Sequence, residues 1–195
     1  MVDLFLSQGI NEIAISISHS FREEFDWWRK RYYPELNIKF VEEDEPLGTF
    51  GGLWLLKDWL KNSPFFLSNG DELKRIDLKK MAEFHQQKRT LATIALVKVS
   101  NPQEYGVVVC EEGIVKEFLE KPLNPPSNFI NSGLYLLDPE ILNYHSGPSF
   151  LMIEKDIFPR LAQEKKLAGY QFEGDWTDCG TWERYEKAID NWQEI

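Results

Sequence analysis

Apolar positions along the chain recur with two periods, and the chain alternates between them. Helical spacing marks six stretches. "DLFLSQG" is closed by Gly9, and "FREEFDWWRKRY" is followed by Pro34. "GGLWLLKDWLK" comes next, then "DLKKMAEFHQQK", with Leu78, Met81 and Phe84 on one side. "MIEKDIFPRLAQEK" and "TWERYEKAIDNW" complete the set, the last with Thr181 as its N-cap. Between them lie strand-like runs: "EIAISIS", "NIKFVEE", "PFFLSNG" and "LATIALVKV". This β–α–β–α order predicts an α/β fold, a mostly parallel sheet with helices on both faces. From about Tyr105 the pattern changes. "YGVVVCEEG" and "IVKEFLEKP" predict a hairpin around "EEG", "INSGLYLLD" a strand, and "LAGYQFEGDWTDCG" a strand and loop. No internal repeat and no low-complexity segment interrupts the series, so residues 1–195 are expected to form a single domain with halves at about 1–100 and 101–195.

Composition narrows the function classes. A 43% apolar and 28% charged chain with seven Trp and 13 Phe can bury a substantial core. Its net charge of −10 argues against a nucleic-acid partner, because phosphate backbones need a basic footprint. Phosphate-bearing small molecules stay open, since backbone N–H groups, a few cations or Mg²⁺ suffice for them. Cys110 and Cys179 have no metal-like spacing and predict two free thiols in a reducing cytoplasm. No apolar run approaches a membrane span, and the first residues carry no secretory pattern.

The candidate chemistry sits in short motifs. "EDEPLGTFGG", Glu43 to Gly52, concentrates backbone freedom between a strand and a helix, which implies that something approaches the main chain closely. "SNGD" ends at Asp71, at the C-terminal end of a strand, where open α/β sheets bind ligands and one carboxylate can hold Mg²⁺. "GDWTDCGTWERY" places a second acid, Asp178, before a glycine turn and a helix. "EKP" sets Glu120 and Lys121 at a strand end, and "NSG" sets Asn131 beside a glycine. Taken singly, each reads first as a turn, a cap or a surface ion pair worth little.

Their order carries more than their identities. The series LGTxGG, NGD, YGVV, EKP, NSGLY and WxDxGTxxxY resembles the sugar nucleotidyltransferase (NDP-sugar pyrophosphorylase) family over nearly the whole chain. "PLGTFGG" is most similar to the mannose-1-phosphate guanylyltransferase group within it. The resemblance implies a Rossmann-like nucleotide-diphospho-sugar transferase fold, with a nucleotide side in the first half and a sugar-phosphate side in the second. It also implies transfer of a nucleotidyl group from a nucleoside triphosphate to a sugar 1-phosphate, with Mg²⁺ as cofactor. By the same resemblance Asp71 and Asp178 hold the metal, and together with Lys121, which meets the sugar phosphate, they form the catalytic set. Glu120, Asn131 and the backbone of Gly106 contact the sugar. Glu43, Leu47, Gly48, Thr49 and Gly52 line the nucleoside pocket, where a stacked base would explain the glycines and an acceptor-only carboxylate would suit the donor-rich edge of guanine. Trp176 either walls the pocket or belongs to the core.

One departure stands out. The family's leading strand and GGxGTRxxPxT loop, which grip the triphosphate, have no counterpart in "MVDLFLSQG". The expectation is a sheet lacking its first strand, little or no turnover by this chain alone, and either a truncated piece of a longer enzyme, a complementing N-terminal polypeptide, self-association, or a binding module that retains the sugar-phosphate side.

Overall fold

The computed structural model describes residues 1–192. Helix α1 (Val2–Ser7) leads through Gly9, at φ +83°, into β1 (Ile13–Ser18), then α2 (Arg22–Tyr32) and β2 (Ile38–Glu43). Two short helices, α3 (Gly48–Gly51) and α4 (Lys57–Leu60), precede β3 (Phe65–Ser68) and β4 (Glu72–Lys74). The long helix α5 (Leu78–Lys88) is followed by β5 (Ala92–Lys98), β6 (Gly106–Glu111), β7 (Ile114–Glu120) and β8 (Phe129–Leu137). Helix α6 (Phe158–Gln163), β9 (Leu167–Gln171), β10 (Trp176–Asp178) and α7 (Trp182–Asn191) complete the chain.

The central sheet has six strands in the order β3-β8-β5-β9-β7-β6. It is mixed, which corrects the expectation of a mostly parallel sheet. Strand β8 runs antiparallel to β3 and β5 on either side, and the β6–β7 hairpin adds antiparallel pairs, so β5–β9 is the sheet's parallel pairing. The other parallel pair, β1–β2, forms a separate two-stranded sheet. The hairpin turns through Glu112 (φ +52°) and Gly113 (φ +78°), the left-handed pair that matches strand twist. Because β8 comes from the second half and lies between two strands of the first, the halves interleave in one sheet.

Alternation along β5 and β8 builds three layers. Ile94, Leu96, Tyr135 and Leu137 face Phe158 and Leu161 of α6. Ala95, Leu134 and Leu136 face Leu78 and Met81 of α5, with Leu4 and Phe5 of α1 beside them. Burying Leu78 and Met81 contributes about 1.5–3 kcal/mol each. Helix α5 starts where Asp77 accepts from the Lys80 N–H at 2.9 Å, and it ends at Arg89 in left-handed conformation.

Two predicted helices are broken. The run "GGLWLLKDWLK" continues α3 as a 3₁₀ segment, Gly52–Leu56, before α4. Phe50, Leu53 and Leu56 are all buried, and their spacing of three matches a 3₁₀ repeat. In "MIEKDIFPRLAQEK" the first turn, Ile153–Ile157, is π-helical, closed by the Phe158 N–H on the Ile153 carbonyl. Pro159 has no N–H to continue an α-helical ladder there. The short strand β4, absent from the sequence reading, pairs antiparallel with β10. Among the described residues no helix is long and apolar enough to cross a membrane.

Candidate functional site

The β4–β10 ladder is what brings the two predicted acids together. It sets Asp178 opposite Glu72, and the Cys179 N–H donates to the Asp71 carbonyl at 2.8 Å. A Cβ on Gly180 would lie 3.0 Å from Asp71 Oδ2 and 3.1 Å from Asp178 Oδ1. The two carboxylates therefore converge over a residue with no side chain. Asp178 is braced: Oδ1 accepts from the Gly180 N–H at 2.7 Å, and Oδ2 pairs with Arg184. Arg184 also pairs with Glu104 and lies over the Tyr105 ring, 5.6 Å from its centroid. Asp71 has no side-chain hydrogen bond or ion pair among the described residues. Two hard oxygen donors at a crevice, one of them uncommitted, fit a cation such as Mg²⁺, which takes one or two carboxylates and fills its shell with water and phosphate oxygens. Among the described residues no group of three or more His, Cys, Asp or Glu offers a closed metal cage.

Beside this pair lies a carboxylate the sequence reading passed over. Glu72 accepts from Asn69 Nδ2 at 3.1 Å and Trp176 Nε1 at 2.7 Å, and Lys74 Nζ lies 3.3 Å away. The Lys74 side chain is fully buried, and that burial lowers its pKa against the opposing pull of Glu72 and Asp71. Glu72 packs so closely on Gly133 that a Cβ there would meet its Oε1 at 2.2 Å. Gly133 also holds φ +62°, so glycine is required twice over. Trp176 thus orients Glu72, and its ring stands edge-on to Tyr105.

The glycine loop finds its close neighbour within the chain. A Cβ on Gly48 would sit 2.5 Å from the Leu151 carbonyl oxygen, one on Gly51 2.3 Å from that of Ser149, and one on Gly52 2.5 Å from Glu43 Oε1. The N–H groups of Phe50 and Gly51 donate to Leu151 O at 2.9 and 3.2 Å, and Leu151 N–H returns a bond to Leu47 O at 2.9 Å. On the side where a Cβ would point, these glycines make room for the chain's own backbone and for Glu43. Glu43 is likewise engaged. Its Oε2 accepts from the Leu47 N–H at 2.9 Å and its Oε1 from the Ser16 hydroxyl, so it braces the loop first. Thr49 turns its hydroxyl to Glu154, which the sequence reading did not single out, at 2.7 Å.

On the other side, Glu120 is the cross-strand partner of Gly106. A Cβ on Gly106 would lie 3.1 Å from Glu120 Oε2 and 2.8 Å from the Phe118 ring. Burial raises the Glu120 carboxyl above its ordinary value; Lys121 and Lys155 oppose this and Glu154 adds to it. Lys121 has φ +48°, and its N–H donates to Tyr105 O at 3.1 Å. Asn131 lies on β8, one residue from Ile130, which pairs with Val107 of β6. Its Oδ1 accepts from the Gly133 N–H at 2.9 Å, and its Nδ2 donates to the Tyr135 hydroxyl at 2.8 Å. The fold therefore groups Gly106, Glu120 and Lys121 at one strand end with Asn131 on the next strand. Glu72, Glu154, Tyr135 and Arg184 are further polar groups of the site. No local motif marks them, because each is defined by partners far along the chain.

Comparison with known proteins agrees with this architecture. The family model described as nucleotidyl transferase matches residues 1–194. A protein of Arabidopsis thaliana named "Probable mannose-1-phosphate guanylyltransferase 3" is 40% identical over 186 residues, 92% of this chain and 56% of that protein. A Bacillus anthracis protein solved with sucrose superposes with a TM-score of 0.87 at 22% identity, over all of this chain and 81% of the other. HddC from Yersinia pseudotuberculosis, solved with GMP-PN, gives 0.81 at 25% identity over 98% of this chain and 83% of that one. The chain spans about half the length of the curated relatives it matches. With the family match running through essentially its whole length, this chain is a member of the nucleotidyl transferase family.

Proposed function

We propose that the chain carries the nucleotidyl-transfer site of a sugar-1-phosphate nucleotidyltransferase, of the kind that makes GDP-mannose. The observation that carries this reading is the convergence of Asp71 and Asp178 over Gly180. Support for the substrate comes from the mannose-1-phosphate guanylyltransferase name of a relative 40% identical to this chain, and support for a guanine nucleotide from the GMP-PN bound by HddC. In the proposed reaction an oxygen of the sugar 1-phosphate attacks the α-phosphorus of the nucleoside triphosphate. The bond to the β-phosphate breaks, and pyrophosphate leaves. No protein nucleophile takes part.

Asp71 and Asp178 would hold Mg²⁺, which supplies positive charge to the phosphate oxygens and aligns them. Lys121 grips the sugar phosphate through a charge-assisted hydrogen bond. Glu120 and Asn131 receive sugar hydroxyls, and Gly106 leaves room for the Glu120 side chain. Glu43, Leu47, Gly48, Thr49 and Gly52 form a stiff platform on the nucleoside side, held by Ser149 and Leu151.

Calorimetric titration of the 195-residue chain with mannose 1-phosphate and with mannose tests the assignment. Lys121→Ala is expected to weaken the phosphorylated sugar by about tenfold and to leave mannose nearly unchanged. Glu120→Ala is expected to weaken mannose and to spare or strengthen the phosphate, which the carboxylate repels. Equal effects on both ligands, or no binding of either at millimolar concentration, would overturn it.

A further inference from the structure

Glu154 is buried, sits in the π-helical turn before α6, and accepts one hydrogen bond on each carboxylate oxygen. Both bonds end a one-way relay. On one side the Ile153 N–H donates to Thr49 Oγ1 at 2.9 Å, so the Thr49 proton must go to Glu154 Oε2, 2.7 Å away. On the other side Asn131 Nδ2 donates to the Tyr135 hydroxyl at 2.8 Å, so the phenol proton must go to Glu154 Oε1, 3.1 Å away. Asn131 is itself aimed, because its Oδ1 is taken by the Gly133 N–H. One carboxylate thus terminates a relay from the glycine loop and a relay from β8.

We infer that Glu154 is a positioning residue that ties the glycine loop at Thr49 to Asn131, and so sets the two substrate sides against each other. The consequence for substrates rests on the function proposed above; the mechanical link does not. The chemistry demands a carboxylate. An acceptor-only group can end both relays, whereas glutamine presents an amide N–H₂ to one of them. That N–H₂ would face a hydroxyl already holding a donor, and the hydroxyl proton would lose its acceptor in a buried place. The π turn supplies the reach, since its wider ring sets Glu154 between α3 and β8 where Pro159 prevents a regular α turn. A carboxylate that served only the core would have no need to meet two segments that carry site residues.

The test is heteronuclear NMR on the full chain with amide and side-chain hydrogen exchange, comparing wild type, Glu154→Gln, Tyr135→Phe, Thr49→Ala and Thr49→Ser. Tyr135→Phe is expected to shift the Phe50 and Gly51 amide signals of the glycine loop and quicken their exchange by about tenfold, although Phe replaces nothing that touches that loop. Thr49→Ala is expected to do the same to the Asn131 side-chain amide, and Thr49→Ser, which keeps the hydroxyl, to restore it. Glu154→Gln is expected to disturb both arms. If Glu154→Gln does not fold, the Tyr135 and Thr49 variants decide alone. Effects confined to the arm that carries the substitution would overturn the link. In a parallel titration of wild type, GTP with Mg²⁺ is expected to tighten mannose 1-phosphate by at least about fivefold, an advantage lost in Glu154→Gln or Tyr135→Phe. Should wild type bind neither ligand, the substrate reading fails, and the exchange data still judge the relay.

Discussion

The glycine loop and the acid pair draw on the same vocabulary of glycine, turn and carboxylate, yet the structure spends them differently. In the loop nearly everything is consumed internally. Gly48, Gly51 and Gly52 are pressed against Leu151, Ser149 and Glu43, and both Glu43 oxygens accept from protein donors. At the acid pair the glycine, Gly180, leaves space between two carboxylates, and Asp71 keeps its oxygens uncommitted among the described residues. One region is scaffold that closes on itself; the other is scaffold that holds acceptors open. A glycine-rich motif therefore reports how tightly a chain packs on its own backbone as readily as it reports a ligand, and an unpartnered acid at a strand end points more directly to chemistry.

Substitutions can break that contrast. The largest effect is expected from Gly48→Ala. The new Cβ would meet the Leu151 carbonyl at 2.5 Å from a residue at φ +75°, combining overpacking with left-handed strain. Loss of about 3 kcal/mol, read from a denaturation midpoint, is expected. Gly180→Ala at the acid pair should cost far less stability, since its neighbours are side-chain ends that can turn away.

A middling effect sharpens the open side. Arg184 pairs with Asp178 Oδ2 and would compete there with a cation held as proposed. Arg184→Ala is expected to tighten Mn²⁺ binding by about threefold in calorimetry, the scale of a partly exposed ion pair. Unchanged affinity would mean that Asp178 does not contribute to the cation site.

Glu120 gives a pH-dependent probe. Burial raises its carboxyl above the ordinary 4.5, so the folded state binds that proton more tightly than the unfolded chain does. Its contribution to stability is full below the ordinary value and is lost as pH rises through the raised one. Glu120→Gln should flatten the fall in denaturation midpoint across that window, and Lys121→Ala, by removing an opposing charge, should move the fall to higher pH.

The smallest effect is expected within the self-satisfied loop. Ser16→Ala removes one of the donors to Glu43 and leaves the Leu47 N–H in place. A cost of at most about 0.5 kcal/mol is expected, because the carboxylate is near the surface and water can replace the hydroxyl.

What the sequence disclosed follows the range of the forces involved. Periodicity located α2, α5, α7 and most strands, because an amphipathic face is a local property. The Glu112–Gly113 turn and the Thr181 cap were equally local: Thr181 accepts from the Arg184 N–H at 3.3 Å. Strand direction was not legible, since whether β8 runs with or against β5 depends on where the long connection returns it. Strand β4 escaped notice because three residues, two of them charged, carry no alternation. The helix breaks at Gly52–Leu56 and Ile153–Ile157 reflect tertiary demands, a buried Phe50–Leu53–Leu56 line in one and the reach of Glu154 in the other. Asp71 and Asp178 stand out through motif order, while Glu72, Tyr135, Glu154 and Arg184 lie in bonds that span long stretches of chain and have no local signature.

The central claim is that Asp71 and Asp178 form one cation site, and Mn²⁺-induced NMR relaxation tests it most directly. Titrating Mn²⁺ into the chain should broaden the amide signals of Asp71, Cys179 and Gly180 together at the lowest metal concentrations. Asp71→Asn should abolish that broadening while leaving the denaturation midpoint within about 0.5 kcal/mol of wild type, since among the described residues the Asp71 side chain makes no hydrogen bond or ion pair. Broadening that begins elsewhere on this acidic surface, or that survives Asp71→Asn at Gly180, would contradict the account.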